Sequence, residues 1–184
     1  MAGTAVAQGY RAGPAYGPNA RQGLTIGFGI GVGDIDCTDC DAGLEAAGVE
    51  FHAGVMINPR MAVIGEIWAM SHSERDDTFD AEITLTHLIA TAGVQYWVLP
   101  RLWVKGGLGI AQGFLTVSVG NIEASDESEA GLGLMAAVGY EVLTTRRFAM
   151  DAQLHLGTGL YGDTDDGTDF EANNISVGLG FTWF

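Results

Sequence analysis

The sequence lacks any run of about 18 apolar residues, the length that a membrane-spanning helix requires, although 47% of its 184 residues are hydrophobic. It also has few basic residues, since eight Lys and Arg stand against 23 Asp and Glu and leave a net charge of -15. Nucleic-acid binding needs a basic face. The composition therefore excludes a helical membrane anchor and nucleic acid as a partner.

Alternating hydrophobicity marks the centre of the chain, where segments 81–98 and 102–119 flank the turn Leu99-Pro100-Arg101. A period of two indicates a strand with one face in an apolar medium. Each segment has about 17 residues, against about 5–6 in a typical soluble strand. Because a tilted strand crosses a bilayer in about 9–11 residues, this hairpin is long enough to form the wall of a membrane barrel.

The same pattern recurs along the chain and predicts eight strands, at 24–33, 45–57, 61–72, 81–98, 102–119, 131–143, 148–161 and 173–184. In the first strand, residues such as Phe28 and Ile30 alternate with a face made almost entirely of glycine. A glycine face suits a narrow lumen in which side chains of other strands need the space.

The connections alternate between three short turns and four long loops, and charge separates the two sets. Of the 23 acidic residues, all but Glu50, Glu66, Glu141 and Asp151 lie in or beside the long loops. The short turns carry no acid, and each ends in arginine, at Arg60, Arg101 and Arg147. An even strand number with alternating short and long connections is typical of bacterial outer-membrane barrels. We therefore predict an all-β fold, an eight-stranded antiparallel up-and-down transmembrane β-barrel with both termini in the periplasm.

Residues 1–22 lack periodicity and are rich in Gly, Ala and Pro, which predicts a flexible N-terminal linker before a barrel at 23–184. They contain no charged start followed by an apolar core of about 7–15 residues, so no intact signal peptide is recognised. For an outer-membrane protein we expect the signal peptide to have been removed.

The segment GVQYWVLPRLWVKGGLGIA, residues 93–111, resembles the central hairpin of the small outer-membrane β-barrel family, which includes the transmembrane domain of outer membrane protein A. The resemblance implies a location in the outer membrane of a Gram-negative bacterium. It also implies contact with outer-membrane lipid and lipopolysaccharide, and assembly by the barrel assembly machinery. The sequence also resembles the family in ending with a Phe. Phe184 lies out of phase, however, with the apolar face that includes Trp183.

An eight-stranded barrel leaves an interior only wide enough for side chains, so we expect its inward polar residues to form a connected network. These are Glu50, His52, Glu66, Gln95, Lys105, Glu141, Asp151, Gln153 and His155. Three-residue turns fix the register of the hairpins, which places His52 opposite Glu66, Gln95 opposite Lys105 and Glu141 opposite Asp151. The last two carboxylates must share a proton or take a cation from Lys105 or Arg147.

Two other motifs lie in the long loops. Cys37 and Cys40 lack further ligands at zinc-site spacing, so a disulfide is favoured over metal or free thiols. The acidic stretch 163–169 fails the EF-hand spacing, which favours a solvated loop with weak binding of divalent cations. We expect no resident metal and no cofactor.

The predicted function is an integral outer-membrane barrel with a structural, anchoring or surface-interaction role and a filled lumen instead of a wide pore. A narrow ion channel and an enzyme that modifies lipid A, a deacylase or acyltransferase, are the alternatives. The enzyme would use Ser71-His72-Ser73-Glu74, but adjacency in sequence does not define a catalytic triad, so we expect no enzyme. A lipocalin-like binding barrel is disfavoured, because it would need an apolar lumen, whereas the inward face here carries Glu, Gln, Lys and His. Trp97 and Trp103 are expected to act as interfacial aromatic residues. Strict alternation points both inward, so a bulge or a position at the mouth of the lumen is the alternative.

Overall fold

The structure, a computed structural model, describes residues 21–37, 43–76, 81–119, 122–163 and 169–184. These residues contain nine strands, which are β1 Leu24–Cys37, β2 Leu44–Asn58, β3 Met61–Asp76, β4 Ala81–Trp97, β5 Leu102–Val119, β6 Ile122–Glu127, β7 Gly131–Thr144, β8 Phe148–Asp163 and β9 Asp169–Trp183. Within the described residues, no helix is long and apolar enough to span a membrane.

Eight of the nine strands form a closed antiparallel ring. Successive strands pair from β1 to β5, β5 then pairs with β7, and β9 returns to pair with β1. The fold is therefore the predicted eight-stranded up-and-down barrel. We call the end with the three short connections the turn end, and the end with the four long connections the loop end.

The three predicted cross-strand registers are confirmed. His52 lies opposite Glu66, Gln95 opposite Lys105, and Glu141 opposite Asp151. Short turns leave a hairpin few ways to pair, and a slip by one residue would turn every apolar side chain inward.

The strands extend further into the loops than the hydrophobic pattern predicts. β1 continues to Cys37, β3 continues to Asp76, and β9 begins at Asp169. The predicted loop 120–130 contains one strand more than the sequence predicts, β6. Among the described strands, β6 pairs with the loop end of β5, residues 114–119. These strand ends are polar, so backbone pairing continues there after the apolar alternation has stopped.

The outward face carries a continuous apolar surface. Its exposed residues include Phe28 and Ile30 on β1, Leu108 on β5 and Val177 on β9. Aromatic residues gather on this surface near the turn end, where the ring of Phe28 stacks on Phe181 at 5.0 Å and Phe148 lies 5.2 Å from Trp183. An apolar band with an aromatic girdle is the surface of a barrel embedded in lipid.

The inward glycines give space to side chains of other strands, as predicted. A Cβ atom at Gly27 would lie 2.4 Å from the His52 ring, and one at Gly29 would lie 2.5 Å from the Gln153 amide. A Cβ atom at Gly139 would lie 2.2 Å from the indole of Trp103. Each separation is too short for a real contact. The lumen therefore has room for its large side chains only because these inward positions are glycine.

The substitution Leu154→Arg should hinder membrane insertion. Leu154 faces outward in the middle of β8, between Val138 and Val177 of the flanking strands, and a basic residue at the bilayer midplane costs about 2–4 kcal/mol. The free energy of unfolding in lipid vesicles measures this loss. Leu99→Arg, at the turn end, is the matched control, because the same change near an interface costs about 0–1 kcal/mol. Equal losses in the two variants would contradict the proposed position of the bilayer.

Candidate functional site: the polar cluster of the lumen

The structure places all nine predicted polar residues inside the barrel. Eight of them are buried, and Gln153 is half-buried. They come from six of the eight wall strands: β2, β3, β4, β5, β7 and β8. The cluster therefore forms only in the folded barrel, because residues far apart in sequence meet across the lumen. Gln153, for example, donates a hydrogen bond to Glu50, 103 positions away.

Lys105 is the positive centre of this cluster. Its ammonium nitrogen lies 2.8 Å from Glu50 Oε2 and 2.7 Å from Glu66 Oε2, and all three side chains are almost fully buried. The same nitrogen lies 5.3 Å from the centre of the Trp103 ring. Buried carboxylates require a partner charge, and Lys105 supplies one cation to two of them.

Glu50 has the largest set of neighbours. Besides the bond from Lys105, its Oε1 atom accepts a hydrogen bond from Gln153 Nε2 at 3.0 Å, and its Oε2 atom lies 3.2 Å from His155 Nε2. His52 Nδ1 lies 3.7 Å from Oε1. Four side chains from three strands, β2, β5 and β8, thus meet at one carboxylate, which connects the walls of the barrel across its interior.

Glu50, His52 and Glu66 could together offer three ligand atoms to a metal, since these atoms lie within 4.8 Å of one another. The ammonium group of Lys105, however, already lies against both carboxylates. The chain thus provides its own cation at the position where a metal would bind.

Glu141 forms a second centre nearer the turn end, and its cation is one that the sequence analysis missed. The guanidinium of Arg21 lies 2.6 Å from Glu141 Oε2 and also contacts Oε1 at 2.7 Å. Glu141 is 1% exposed and Arg21 is 7% exposed. Arg21 was not among the sources of a cation that the sequence suggested for the pair of Glu141 and Asp151, which were Lys105 and Arg147.

Arg21 falls in the segment predicted to be a linker, yet its contacts attach it to the mouth of the barrel. Its guanidinium lies 4.7 Å from the centre of the Trp97 ring and 5.6 Å from that of Phe184. It also donates a hydrogen bond to the carbonyl oxygen of Pro100 at 3.0 Å. These groups surround the guanidinium at the turn end of the lumen.

The two tryptophans lie inside the barrel near the turn end, so the structure shows the position at the lumen mouth and not the lipid interface. Trp97 and Trp103 are 1% and 3% exposed. Trp97 Nε1 donates a hydrogen bond to Glu141 Oε1 at 2.6 Å. The strict alternation of the strands predicted the inward orientation of both side chains correctly.

The residues of the enzyme alternative do not come together. Neighbouring residues of a strand point to opposite faces, and the hydroxyls of Ser71 and Ser73 bond across to Thr86 and Thr84 of β4. His72 instead contacts the carbonyl oxygen of Glu45 on β2.

Two other predictions concern loop residues. Cys37 ends β1, but Cys40 lies outside the described residues, as does most of the acidic stretch 163–169. The disulfide between Cys37 and Cys40 and the weak binding of cations therefore stay predictions.

A third buried polar group near the loop end was also missed. It consists of His87, Tyr161 and Asn174, from β4, β8 and β9. All three lie at buried, inward positions of their strands, so strand alternation alone could have identified them.

The comparisons with known proteins agree with this geometry. Residues 4–182 match the model of the outer membrane protein beta-barrel domain. No curated protein shows significant sequence similarity to the chain.

Two solved structures share the fold. The attachment invasion locus protein Ail of Yersinia pestis is 16% identical, with a TM-score of 0.59 over 88% of this chain and 99% of that one. Neisserial surface protein A is 13% identical, with a TM-score of 0.54 over 85% of this chain and 95% of that one. Since the family model covers almost the whole sequence, the chain belongs to the outer membrane protein β-barrel family and is a protein of the bacterial outer membrane.

Proposed function

We propose that this protein is a closed outer-membrane anchor that presents acidic loops at the cell surface and conducts no large ionic current. The observation that carries the proposal is the filled lumen. Lys105, Glu50 and Glu66 join three walls of the barrel at its centre, and Arg21 with Glu141 occupies the turn end. A permeating ion would have to break the two ion pairs of Lys105 and the pair of Arg21 with Glu141.

Recording in planar lipid bilayers tests the closed lumen. We expect the folded monomer to show no steady conductance comparable to that of a wide pore, because eight strands leave room only for their own side chains. A larger porin in the same membrane is the positive control. A steady, large conductance from the monomer would contradict the closed barrel, and small brief openings would favour the alternative of a narrow ion channel.

The charges at the loop end support the surface role. Outward or exposed carboxylates there include Asp34 and Asp36 on β1, Glu45 on β2 and Glu123 on β6. Next to lipopolysaccharide, such carboxylates can share divalent cations with the lipid phosphates.

The acidic loop end also bears on the choice of surface partner. Ail has been solved in complex with the heparin analogue sucrose octasulfate, a polyanion. The present chain carries a net charge of -15, and like charges across an interface disfavour association. We infer that its surface partners are cationic, or are bridged by divalent cations, and that it does not bind polysulfated glycans.

Cysteine labelling of intact cells tests the orientation. A cysteine placed at Asp126 in β6 should react with a membrane-impermeant maleimide, whereas one placed at Arg101 in a short turn should react only after the cells are lysed. A background in which Cys37 and Cys40 are replaced by Ser removes the native thiols and serves as the blank. Labelling at position 101 but not at 126 in intact cells would reverse the proposed topology.

A further inference from the structure

The wall of the barrel changes character at the loop end. On β1 the outward residues Asp34 and Asp36 are exposed, while the intervening Ile35 points inward and is buried. The outward residue opposite Asp34 is another acid, Glu45 on β2. Polar residues outside and apolar residues inside are the pattern of a soluble binding barrel, so this part of the wall stands in water beyond the apolar band.

A cavity of about 260 Å³ opens inside this water-exposed part. Its apolar walls include Ile35 of β1, Leu85 of β4, Leu115 of β5 and Ala172 of β9. Residues 126–128, at the end of β6 and just after it, also line the cavity beside β5, and the hydroxyl of Ser128 accepts a hydrogen bond from the backbone of Gly113 at 2.8 Å. The hairpin of β5 and β6 thus holds one side of the cavity in place.

One end of the cavity is polar and is connected to a buried chain of hydrogen bonds. The hydroxyl of Tyr161 lies 2.8 Å from His87 Nε2, and His87 Nδ1 lies 2.9 Å from Asn174 Oδ1. The imidazole N–H therefore donates to Asn174, and its other nitrogen accepts from Tyr161. The amide nitrogen of Asn174 is buried and has no hydrogen-bond partner among the described residues.

Because Tyr161 donates its proton to His87, the hydroxyl presents an acceptor oxygen toward the cavity. Ser128 lines the same cavity, and because its hydroxyl donates its proton to the carbonyl oxygen of Glu129 at 3.0 Å, its oxygen also presents a lone pair as an acceptor. The polar end thus offers acceptors suited to a ligand that carries a hydrogen-bond donor.

We propose that this cavity binds a small cationic amphipathic molecule, an amine with a compact apolar body. The apolar walls take the body, and the hydroxyl oxygens of Tyr161 and Ser128 accept from the ammonium group. Asp126 and Glu127 line the cavity and are exposed, so their charges attract a cation and repel a carboxylate. A closed lumen is not required for this binding, so the inference is independent of the proposed function.

The test uses the full chain in lipid nanodiscs and three probes with the same apolar body: phenethylamine, phenethyl alcohol and phenylacetate. Binding is followed by the NMR shifts of the amides of Gly113 and Ser128, with empty nanodiscs as the blank for partition into lipid. We expect saturable shifts, with the amine binding more tightly than the alcohol, and the carboxylate weakest. The absence of saturable shifts, or equal affinity for amine and carboxylate, would overturn the proposal.

Matched variants locate the site. Leu115→Trp fills the cavity and should weaken amine binding at least about tenfold, because an occupied cavity does not accommodate extra volume. Leu108→Trp makes the same change on the lipid-facing side of the same strand, where the residue is 65% exposed, and should change affinity less than about twofold. Equal affinity in both variants would place binding elsewhere.

The contribution of the Asp126 and Glu127 carboxylates is tested separately. The double variant Asp126→Asn with Glu127→Gln should reduce the preference for amine over alcohol by about two- to fivefold, the range expected for exposed charge pairs. Alcohol binding should stay unchanged and so reports that the cavity is intact. An unchanged preference would contradict the role of the two carboxylates.

Discussion

Replacing Lys105 with Met should destabilise the barrel by about 3–5 kcal/mol, the usual cost of removing one partner of a buried ion pair. Lys105 contacts Glu50 and Glu66 at 2.8 and 2.7 Å, so its removal leaves two buried carboxylates without a cation. Methionine keeps most of the volume of the side chain and isolates the effect of the charge. The free energy of unfolding by urea in lipid vesicles, followed by tryptophan fluorescence, is the measurement.

Two controls separate this effect from a general loss of charge. Arg101→Met removes an exposed cation at the turn end, and Glu123→Gln removes an exposed acid on β6. Each should change stability by less than about 0.5 kcal/mol. Adding Glu66→Gln to Lys105→Met should recover part of the loss, because one buried charge is then removed. A loss in Lys105→Met no larger than in the controls would show that the cluster does not depend on its lysine.

The barrel could be predicted from the sequence because two local rules act together. Alternation assigns each residue to a face, and short turns fix which residues pair, so the pair of Glu141 and Asp151 follows from the turn between them. β6 could not be predicted in this way. Its sequence, IEASDE, has no apolar face, and it is held by backbone pairing to the extended end of β5.

The lumen cluster could be predicted in part. Alternation identified Glu50, Glu66 and Lys105 as inward residues, but it contains no information about contacts across the barrel, so the common contact of Lys105 with both acids was not predicted. Trp97 was placed by the general preference of aromatic residues for interfaces, while the alternation of its own strand pointed inward and was correct. No feature of the sequence indicated the position of Arg21, because a segment without periodicity does not show where a single side chain will bind.

Arg21 should nevertheless be one of the residues on which stability depends most. It is separated by 120 positions from Glu141, which it contacts through both carboxylate oxygens. Glu141 also accepts hydrogen bonds from Trp97 Nε1 at 2.6 Å and from Thr144 Oγ1 at 2.9 Å. The guanidinium is the only group among these that carries a positive charge, so the other donors cannot replace it.

We expect Arg21→Met to lower the free energy of unfolding by about 3 kcal/mol, near the low end for a broken buried pair because two neutral donors remain. Arg21→Lys should lose about half as much, since lysine keeps the charge but not the planar guanidinium that contacts the Trp97 and Phe184 rings and the Pro100 carbonyl oxygen. Arg147→Met, an exposed cation at the same end of the barrel, is the matched control. Glu141→Gln combined with Arg21→Met should be more stable than Arg21→Met alone, because the unpaired buried carboxylate is then absent. If Arg21→Met unfolds at the same urea concentration as the parent protein, the ion pair of Arg21 with Glu141 does not stabilise this barrel.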